Sequence, residues 1–360
     1  MIDPIGFATP WVIYAVVLAL HLLLPAQRVS GYVVDARTGE PLRYRLNALP
    51  VALVTIALWF TACHFGVIPW DWLWTQRWSS LAGATTIGLL FSFAIVLTAP
   101  STGRSFLADF FFGRLENPQA LGGRLDIKMF LYLVGATMLA LNLLSFAAHH
   151  IIRYDGDVSV GVIVHVALFS WFLLDYLFFE RVHLYTYDLF AERVGFKLGF
   201  GCLTFYPYFY AVGLWATADR PSPHAPTWLL ALAVVSFFCG WMFARGANMQ
   251  KFFFKLDPRH TFLGIFAPQV VGDGERALLC SGFWGIARHV NYLGELLMAT
   301  GLALALGWPT AIGPWLYPLY YLALLVPRER DDHRRCATKY GALWDEYCRR
   351  VRWRIVPFIY

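Results

Sequence analysis

The sequence contains few charged residues. Asp, Glu, Lys and Arg make up only 14 % of its 360 residues, whereas 58 % are hydrophobic and the mean hydropathy is +0.53. A soluble domain carries about 25 % charged and about 45–50 % apolar residues. The low charge therefore excludes an ordinary soluble enzyme, and the high apolar content excludes disordered and collagen-like chains. What remains is a polytopic membrane protein, in which lipid replaces water around most of the chain.

The sequence also lacks paired cysteines and clustered metal ligands. Its six cysteines form no C-x-x-C motif, and its histidines have no carboxylate or cysteine partner at ligand spacing. We therefore predict neither a disulfide framework nor a metal site. Paired inverted repeats are absent as well, which argues against a transporter.

Long apolar segments are abundant. Nine of them are long enough, or nearly so, to cross a membrane core of about 30 Å. They cover residues 8–25, 46–69, 79–99, 127–149, 158–180, 195–217, 226–245, 293–309 and 313–327. We predict an all-α fold, a polytopic transmembrane helical bundle of about nine to ten spans.

The basic residues lie almost entirely on one side of these spans. Of the 29 Lys and Arg residues, three (Arg77, Arg153 and Arg220) fall in the connections of the other side. Cytoplasmic loops of membrane proteins carry such an excess of Lys and Arg. The net charge of +6 is therefore a topology signal and does not indicate nucleic-acid binding. We expect a cytoplasmic C-terminal tail, in an inner membrane if the protein is bacterial and in the endoplasmic reticulum if it is eukaryotic.

The two halves of the chain differ in polarity, which predicts two regions. Residues 1–240 are mostly spans, whereas residues 241–360 place polar side chains between short apolar pieces. Three polar motifs stand out in the second region, and they predict a polar site on the cytoplasmic side. Each also has a simpler interpretation, as snorkelling cations, an interfacial loop or a surface helix respectively. The motifs are Arg245–Lys251 with Lys255, Ser281–Glu295, and Arg328–Tyr360.

The predicted span 158–180 contains an acid next to a tyrosine. Ionisable groups inside a transmembrane helix are costly, and they are candidates for a functional site. Asp175 and Tyr176 are therefore candidates, although a structural polar contact between helices is an alternative.

These motifs together resemble the sterol reductase family, which includes delta-14 sterol reductases, 7-dehydrocholesterol reductase and the C-terminal half of the lamin B receptor. The resemblance covers nearly the whole chain. It is carried most specifically by RGANMQK (residues 245–251), by SGFWGIARHVNYLGELLM (281–298) and by the tail that begins RERDDHRRC at residue 328. The R-H-x-N-Y-x-G-E pattern alone is weaker, because isoprenylcysteine methyltransferases resemble it there.

The resemblance implies that the protein reduces a carbon–carbon double bond in a sterol or sterol-like isoprenoid taken from the bilayer, with NADPH as the cofactor. The delta-14 bond is favoured and the delta-7 bond is next. An isolated alkene accepts hydride poorly, so such an enzyme must first protonate it. We expect a cofactor pocket that faces the cytoplasm in the C-terminal half and a sterol side in residues 1–240.

The resemblance also implies roles for individual residues. Asp332, Tyr176 and Asp175 are the candidates for the catalytic proton relay. The residues expected to bind NADPH are Lys251, Lys255, Arg288, Asn291, Arg328, Asp332 and Tyr340. The residues expected to form the walls of that pocket are Trp284, His289, Tyr292 and Trp344.

Three departures from the family pattern lie in the expected substrate half. Phe172 stands where the family usually has a tyrosine, and Tyr176 is the nearest replacement, although we expect it on another helix face. Tyr132, Val134 and Gly135 replace a Glu, an Arg and a Pro, and Cys202 replaces an acid. Two alternatives therefore stay open, namely a membrane methyltransferase that uses S-adenosylmethionine and a reductase-like scaffold with little activity.

Overall fold

The structure is a computed structural model that describes residues 2–35 and 38–360, so Arg37, one of the cations counted above, lies outside the described residues. The chain divides into two compact units, Met1–Ser222 and Pro223–Tyr360. The division lies in the connection before the helix that starts at Thr227. This helix therefore belongs wholly to the second unit, whereas the sequence placed the boundary after residue 240.

The first unit contains twelve helices and two short antiparallel strand pairs within the described residues. Its helices are α1 (Pro4–Leu23), α2 (Ala48–His64), α3 (Trp72–Thr75), α4 (Arg77–Leu97), α5 (Phe106–Phe112), α6 (Ile127–Arg153), α7 (Val160–Phe178), α8 (Glu180–His183), α9 (Tyr187–Phe190), α10 (Phe196–Phe200), α11 (Tyr206–Phe209) and α12 (Val212–Thr217). Its strands are β1 (Gln27–Val34), β2 (Pro41–Leu46), β3 (Gln119–Ala120) and β4 (Leu125–Asp126).

The second unit contains five helices and one strand pair within its described residues. They are α13 (Thr227–Leu256), β5 (Val270–Val271), β6 (Leu278–Leu279), α14 (Phe283–Ile286), α15 (Val290–Ala305), α16 (Ile312–Tyr340) and α17 (Ala342–Arg350). The chain is thus mainly helical, as the sequence predicted. The strand pairs are short insertions between helices.

Five described helices, α1, α4, α6, α7 and α13, are long and apolar enough to cross a membrane, and α2 and α15 are shorter apolar helices. This supports the predicted multi-pass helical bundle. Helix α6 is the centre of the first unit, because 83 % of its most apolar window is buried inside the protein against 28–39 % in the other four. In the other four, most residues of that window are half-buried or exposed, as in helices that contact lipid.

The expected span 195–217 is not one regular helix. A π-helical turn, Gly201–Phe205, separates α10 from α11, and Pro207 lies at the start of α11. Proline has no backbone N–H, and π-helical turns inside helices are local irregularities. The sequence pattern found the apolar segment but not this break.

The motif Asp126-Ile-Lys128 fixes the start of α6. The Asp126 carboxylate caps the helix by accepting a hydrogen bond from the Met129 N–H at 3.0 Å. Lys128 is only 1 % exposed, and its ammonium donates to the Leu189 carbonyl at 2.7 Å and to Asn117 Oδ1 at 3.2 Å. A buried ammonium needs such partners, so this motif has a structural role in the first unit.

Helices α13 and α15 pack with their backbones in contact. A Cβ atom added at Gly294 would lie 2.5 Å from both the Ala244 amide nitrogen and the Gly240 carbonyl oxygen. One added at Gly301 would lie 2.6 Å from the Ala233 carbonyl oxygen. Small residues allow this close approach of helices in membranes. The contact places the end of α13 beside the start of α15, where the polar motifs lie.

Candidate functional site

The end of α13 carries two of the predicted cofactor-binding lysines. The helix has 30 residues, which at 1.5 Å per residue is about 45 Å, longer than a membrane core of about 30 Å. We expect its last turns, which carry Lys251 and Lys255, to lie outside the apolar layer, because charged side chains are costly inside it. The Lys251 ammonium lies 5.5 Å from the centre of the Trp284 ring, and Trp284 Nε1 donates to the Ala247 carbonyl at 2.8 Å. The structure thus brings Lys251 and Trp284 together.

A buried glutamine attaches the segment before α14 to α13. Gln250 Oε1 accepts from the Phe283 N–H at 3.0 Å, and Gln250 Nε2 donates to the Ser281 carbonyl at 3.0 Å. Gly282 between them has φ +59°, and a Cβ there would lie 2.5 Å from the Gln250 amide. Only glycine adopts this conformation easily with no side chain in the way. The glycine in the S-G-F-W motif therefore has a packing reason.

Two buried polar atoms at the start of α15 and just before it have no hydrogen-bond partner among the described residues. Arg288 is 7 % exposed, and its side chain donates from Nη1 to Cys348 Sγ at 2.6 Å, but its Nε has no partner among the described residues. Asn291 Oδ1 is also buried without one. Buried polar atoms are nearly always hydrogen-bonded. A donor and an acceptor with unmet hydrogen bonds are therefore close in sequence at this site, as expected of residues that bind a polar ligand.

Asp332 on α16 faces a group of cations. Lys251, Arg335 and Arg328 all act on its charge. Burial nevertheless raises the pKa of Asp332 above its usual value, because desolvation outweighs these cations. A carboxyl group with a raised pKa keeps its proton to higher pH, and it is therefore a better proton donor near neutral pH.

His289 lies beside this carboxyl group as a neutral ring. Its Nε2 is 3.8 Å from Asp332 Oδ2, and its ring stacks on Tyr292 with centres 4.8 Å apart. Burial, together with Lys251 and Arg288, lowers the pKa of His289 to about 3. The ring is therefore uncharged near neutral pH, and its contact with Asp332 is not an ion pair.

Two of the predicted pocket residues lie in a buried cluster. Trp344 is 5 % exposed, packs with Tyr340 and Tyr347, and donates from Nε1 to His333 Nδ1 at 3.1 Å. Tyr340 lies next to Lys339, whose ammonium is 5.0 Å from the ring centre. The cluster supports the turn of α16 that follows Asp332. A direct cofactor contact by Tyr340 or Trp344 stays a prediction.

The other two catalytic candidates, Asp175 and Tyr176, lie near the end of α7 in the first unit. The expectation that Tyr176 lies on another helix face than Phe172 is wrong. The two rings are 6.3 Å apart and nearly parallel, at 26°, because residues four apart in a helix share a face. The centre of the Tyr176 ring also lies 4.0 Å from that of His183 and 6.3 Å from that of Tyr132. Two departures from the family pattern, Phe172 and Tyr132, therefore both adjoin Tyr176.

Sequence reasoning missed several residues of the second unit that hold the site together. Gln250 lies in the 245–251 motif, but the motif alone does not indicate its hydrogen bonds to Ser281 and Phe283. Glu329 is fully buried and pairs with Arg354 at 3.2 Å. These two residues are 25 positions apart, so no local pattern pointed to the pair. The available signal was that Glu329 continues the buried face of Tyr321 and Leu325 on α16, where an apolar residue is expected.

Comparison with known proteins gives a full-length family match. The model of the ergosterol biosynthesis ERG4/ERG24 family matches residues 5–360. The match therefore includes both units and every residue of the candidate site.

Individual relatives agree with this match. A delta(14)-sterol reductase of Arabidopsis thaliana is 35 % identical over 97 % of this chain and 95 % of its own length. The delta(14)-sterol reductase of Methylotuvimicrobium alcaliphilum is 32 % identical over 95 % of this chain and 80 % of its own length. In Mus musculus, the delta(14)-sterol reductase TM7SF2 is 32 % identical over 98 % of this chain and 86 % of its own length.

Proposed function

Because the chain belongs to the ergosterol biosynthesis ERG4/ERG24 family, we propose that it is a membrane enzyme that reduces the delta-14 double bond of a sterol with NADPH. The observation that carries this proposal is the group of cations around Asp332 in the second unit. The named relatives are delta(14)-sterol reductases, which favours the delta-14 bond over the delta-7 bond.

The described residues fit a phosphate-bearing nicotinamide dinucleotide. Lys251, Arg328 and Arg335 all act electrostatically on one carboxyl group, that of Asp332, and lysines and arginines are the usual partners of phosphates. The unpartnered Arg288 Nε and Asn291 Oδ1 supply a donor and an acceptor for the polar parts of such a ligand. We propose that Lys255 adds to the phosphate contacts and that Trp284, His289, Tyr292, Tyr340 and Trp344 shape the pocket.

The chain's own part in the reaction is to protonate the alkene and to keep water away. An acid transfers its proton to one alkene carbon, which leaves a positive charge on the other carbon. NADPH, when bound, supplies the hydride that completes the addition. Asp332 is our first candidate for the acid, because its pKa is raised. Tyr176, with Asp175 as its orienting partner, is the second.

We propose that residues 1–240 provide the sterol side and residues 241–360 the cofactor side. Helices α1, α4 and α7 are long and apolar enough to cross a membrane. A sterol enters from the bilayer, so these helices support a sterol side in the first region. The excess of basic residues on one side supports a cytoplasmic C-terminal tail. This sidedness suits NADPH, which is a cytoplasmic solute.

A binding experiment tests this function. Purified protein in detergent is heated with NADPH or with S-adenosylmethionine, and the melting temperature is measured, because a ligand that binds only the folded state stabilises it. We expect NADPH to raise the melting temperature and S-adenosylmethionine to leave it unchanged. Lys251→Ala should weaken NADPH binding by about 10–150-fold, because a charge-assisted hydrogen bond contributes about 1.5–3 kcal/mol.

Lys197→Ala is the matched control, because Lys197 pairs with Glu192 on the surface of the first unit at 2.7 Å. It should bind NADPH like the wild type. Stabilisation by S-adenosylmethionine but not by NADPH would support the methyltransferase alternative and overturn the proposal.

A further inference from the structure

A buried acid on α16 is held by the residues that end the described chain. Glu329 is fully buried, and its carboxylate accepts from Arg354 Nη1 at 3.2 and 3.3 Å and from the Tyr360 hydroxyl at 3.2 Å. The Arg354 guanidinium also lies 5.7 Å from the centre of the Tyr360 ring. A buried carboxylate with two such donors is well satisfied, so these three side chains form one closed group.

Residues 353–360, here called the tail segment, are fixed by their own backbone. The Tyr360 carbonyl accepts from the N–H groups of Arg354, Ile355 and Val356 at 2.8, 3.0 and 3.2 Å. The Tyr360 N–H in turn donates to the Val356 carbonyl at 2.9 Å. Tyr360 is therefore anchored through its backbone as well as through its hydroxyl group.

The tail segment also holds the backbone of the candidate site. The Arg288 N–H donates to the Trp353 carbonyl at 2.9 Å, and the His289 N–H donates to the Arg354 carbonyl at 2.8 Å. Arg354 thus binds α16 with its side chain and the start of α15 with its backbone. It is a direct bridge between the two segments that carry Arg288 and Asp332.

Glu329 and Asp332 lie three residues apart on α16, so they are neighbours on its surface. The same turn of α16 therefore carries the anchored acid and the candidate proton donor. On the segment before α15, His289 Nε2 lies 3.8 Å from Asp332 Oδ2. The Glu329–Arg354–Tyr360 group therefore links the turn that carries Asp332 to the Arg288–His289 backbone.

We propose that Tyr360, Arg354 and Glu329 are positioning residues, which hold the Arg288–His289 backbone and the Asp332 turn of α16 at the spacing that proton donation and cofactor binding need. The positioning itself is a statement about this geometry alone. Its catalytic consequence rests on the proposed function.

The first test is amide hydrogen exchange on the intact protein in detergent. Tyr360→Phe removes one hydroxyl and leaves no charge unpaired, so the variant should fold. We expect amides in peptides that cover 283–292 to exchange about 3–10-fold faster, because part of a charge-assisted hydrogen bond is lost. Peptides of α17 should exchange as in the wild type.

Two further variants separate positioning from general loss of stability. Glu329→Gln keeps the shape of the side chain but not its charge, and Arg354→Lys keeps the charge but loses the planar fork. Both should also speed exchange in 283–292. Glu346→Gln is the matched control, because it breaks an exposed Glu–Arg pair within α17 that is 2.9 Å long. It should change nothing in 283–292.

The second readout is the pH profile of sterol reduction in a single turnover. The rate should fall as the pH rises. We expect this fall to occur at a different pH in Tyr360→Phe than in the wild type, because the surroundings of the proton donor Asp332 have changed. A role in folding alone would lower the amount of active protein without moving the profile. Wild-type exchange in 283–292 for all three variants would overturn the proposal. A wild-type protein that bound no NADPH would instead contradict the proposed function, and the exchange result would still decide the positioning.

Discussion

Asp332→Asn is expected to lower the rate of sterol reduction in a single turnover by about 10²–10⁴-fold, the usual loss when a general acid is removed, while NADPH still binds. Asn has the shape of Asp but cannot donate an acidic proton. Burial raises the pKa of the Asp332 carboxyl group, so its acid form persists to higher pH than that of an exposed aspartate. The wild-type rate should therefore fall as the pH rises through this raised pKa. The Asn variant should lack that fall.

The neighbouring acid provides the control for this experiment. Asp331 is exposed and lies 3.8 Å from Arg334 on the surface of α16, so Asp331→Asn should keep the wild-type rate and pH profile. Tyr176→Phe and Asp175→Asn are measured in parallel. Full activity of Asp332→Asn together with loss of activity in Tyr176→Phe would move the donor to α7.

Gly294→Ala is expected to destabilise the protein by about 1–3 kcal/mol, and Gly294→Val by more, because extra atoms in a well-packed interface force the backbone to move. The added Cβ would lie 2.5 Å from two backbone atoms of α13, and backbone atoms cannot rotate away as a side chain can. Alanine is the better helix former by about 1 kcal/mol, but the clash outweighs this gain. The measurement is the melting temperature in detergent, with NADPH affinity measured beside it.

NADPH affinity should fall with stability in the Gly294 variants, since α13 carries Lys251 and α15 carries Asn291. Gly201→Ala is the control, because no atom lies within 4 Å of its added Cβ and its φ of −52° suits any residue. It should leave stability unchanged or raise it by up to about 1 kcal/mol, because alanine is the better helix former and meets no clash there. A Gly294→Ala variant as stable as this control would show that the two helices are not in backbone contact.

The sequence predicted the helical membrane architecture and the family correctly, because both depend on patterns that extend over many residues. Long apolar segments with few charges identified the helices, and motifs spread from residue 245 to residue 360 identified the family. The π-helical turn at 201–205 was missed, because hydropathy does not report how backbone hydrogen bonds are arranged.

The site was predictable where a motif holds several polar residues together. Arg288, His289 and Asn291 are contiguous in one motif, and the structure places His289 beside Asp332. The bridge from Glu329 to Arg354 and Tyr360 was not predictable, because it joins residues 25 and 31 positions apart. Such contacts depend on how α16 and the tail segment pack, and no local spacing encodes them.

The error about Tyr176 has a simple geometric cause. Tyr176 lies one residue after Asp175, which puts these two side chains on different faces of α7, but it lies one helical turn after Phe172 and shares its face. The corrected geometry strengthens Tyr176 as the second candidate for the proton donor, since it shares a face with the position where the family usually has a tyrosine.

The most direct test of the central claim is to follow hydrogen from the cofactor to the sterol. Purified protein in lipid nanodiscs is given a sterol with a 14(15) double bond and NADPH deuterated at the transferable position of C4, and the product is analysed by mass spectrometry. We expect a product saturated at C14 and C15, with one deuterium from the cofactor and one hydrogen from the solvent. An unchanged sterol in the presence of bound NADPH, or a product without deuterium, would contradict this claim.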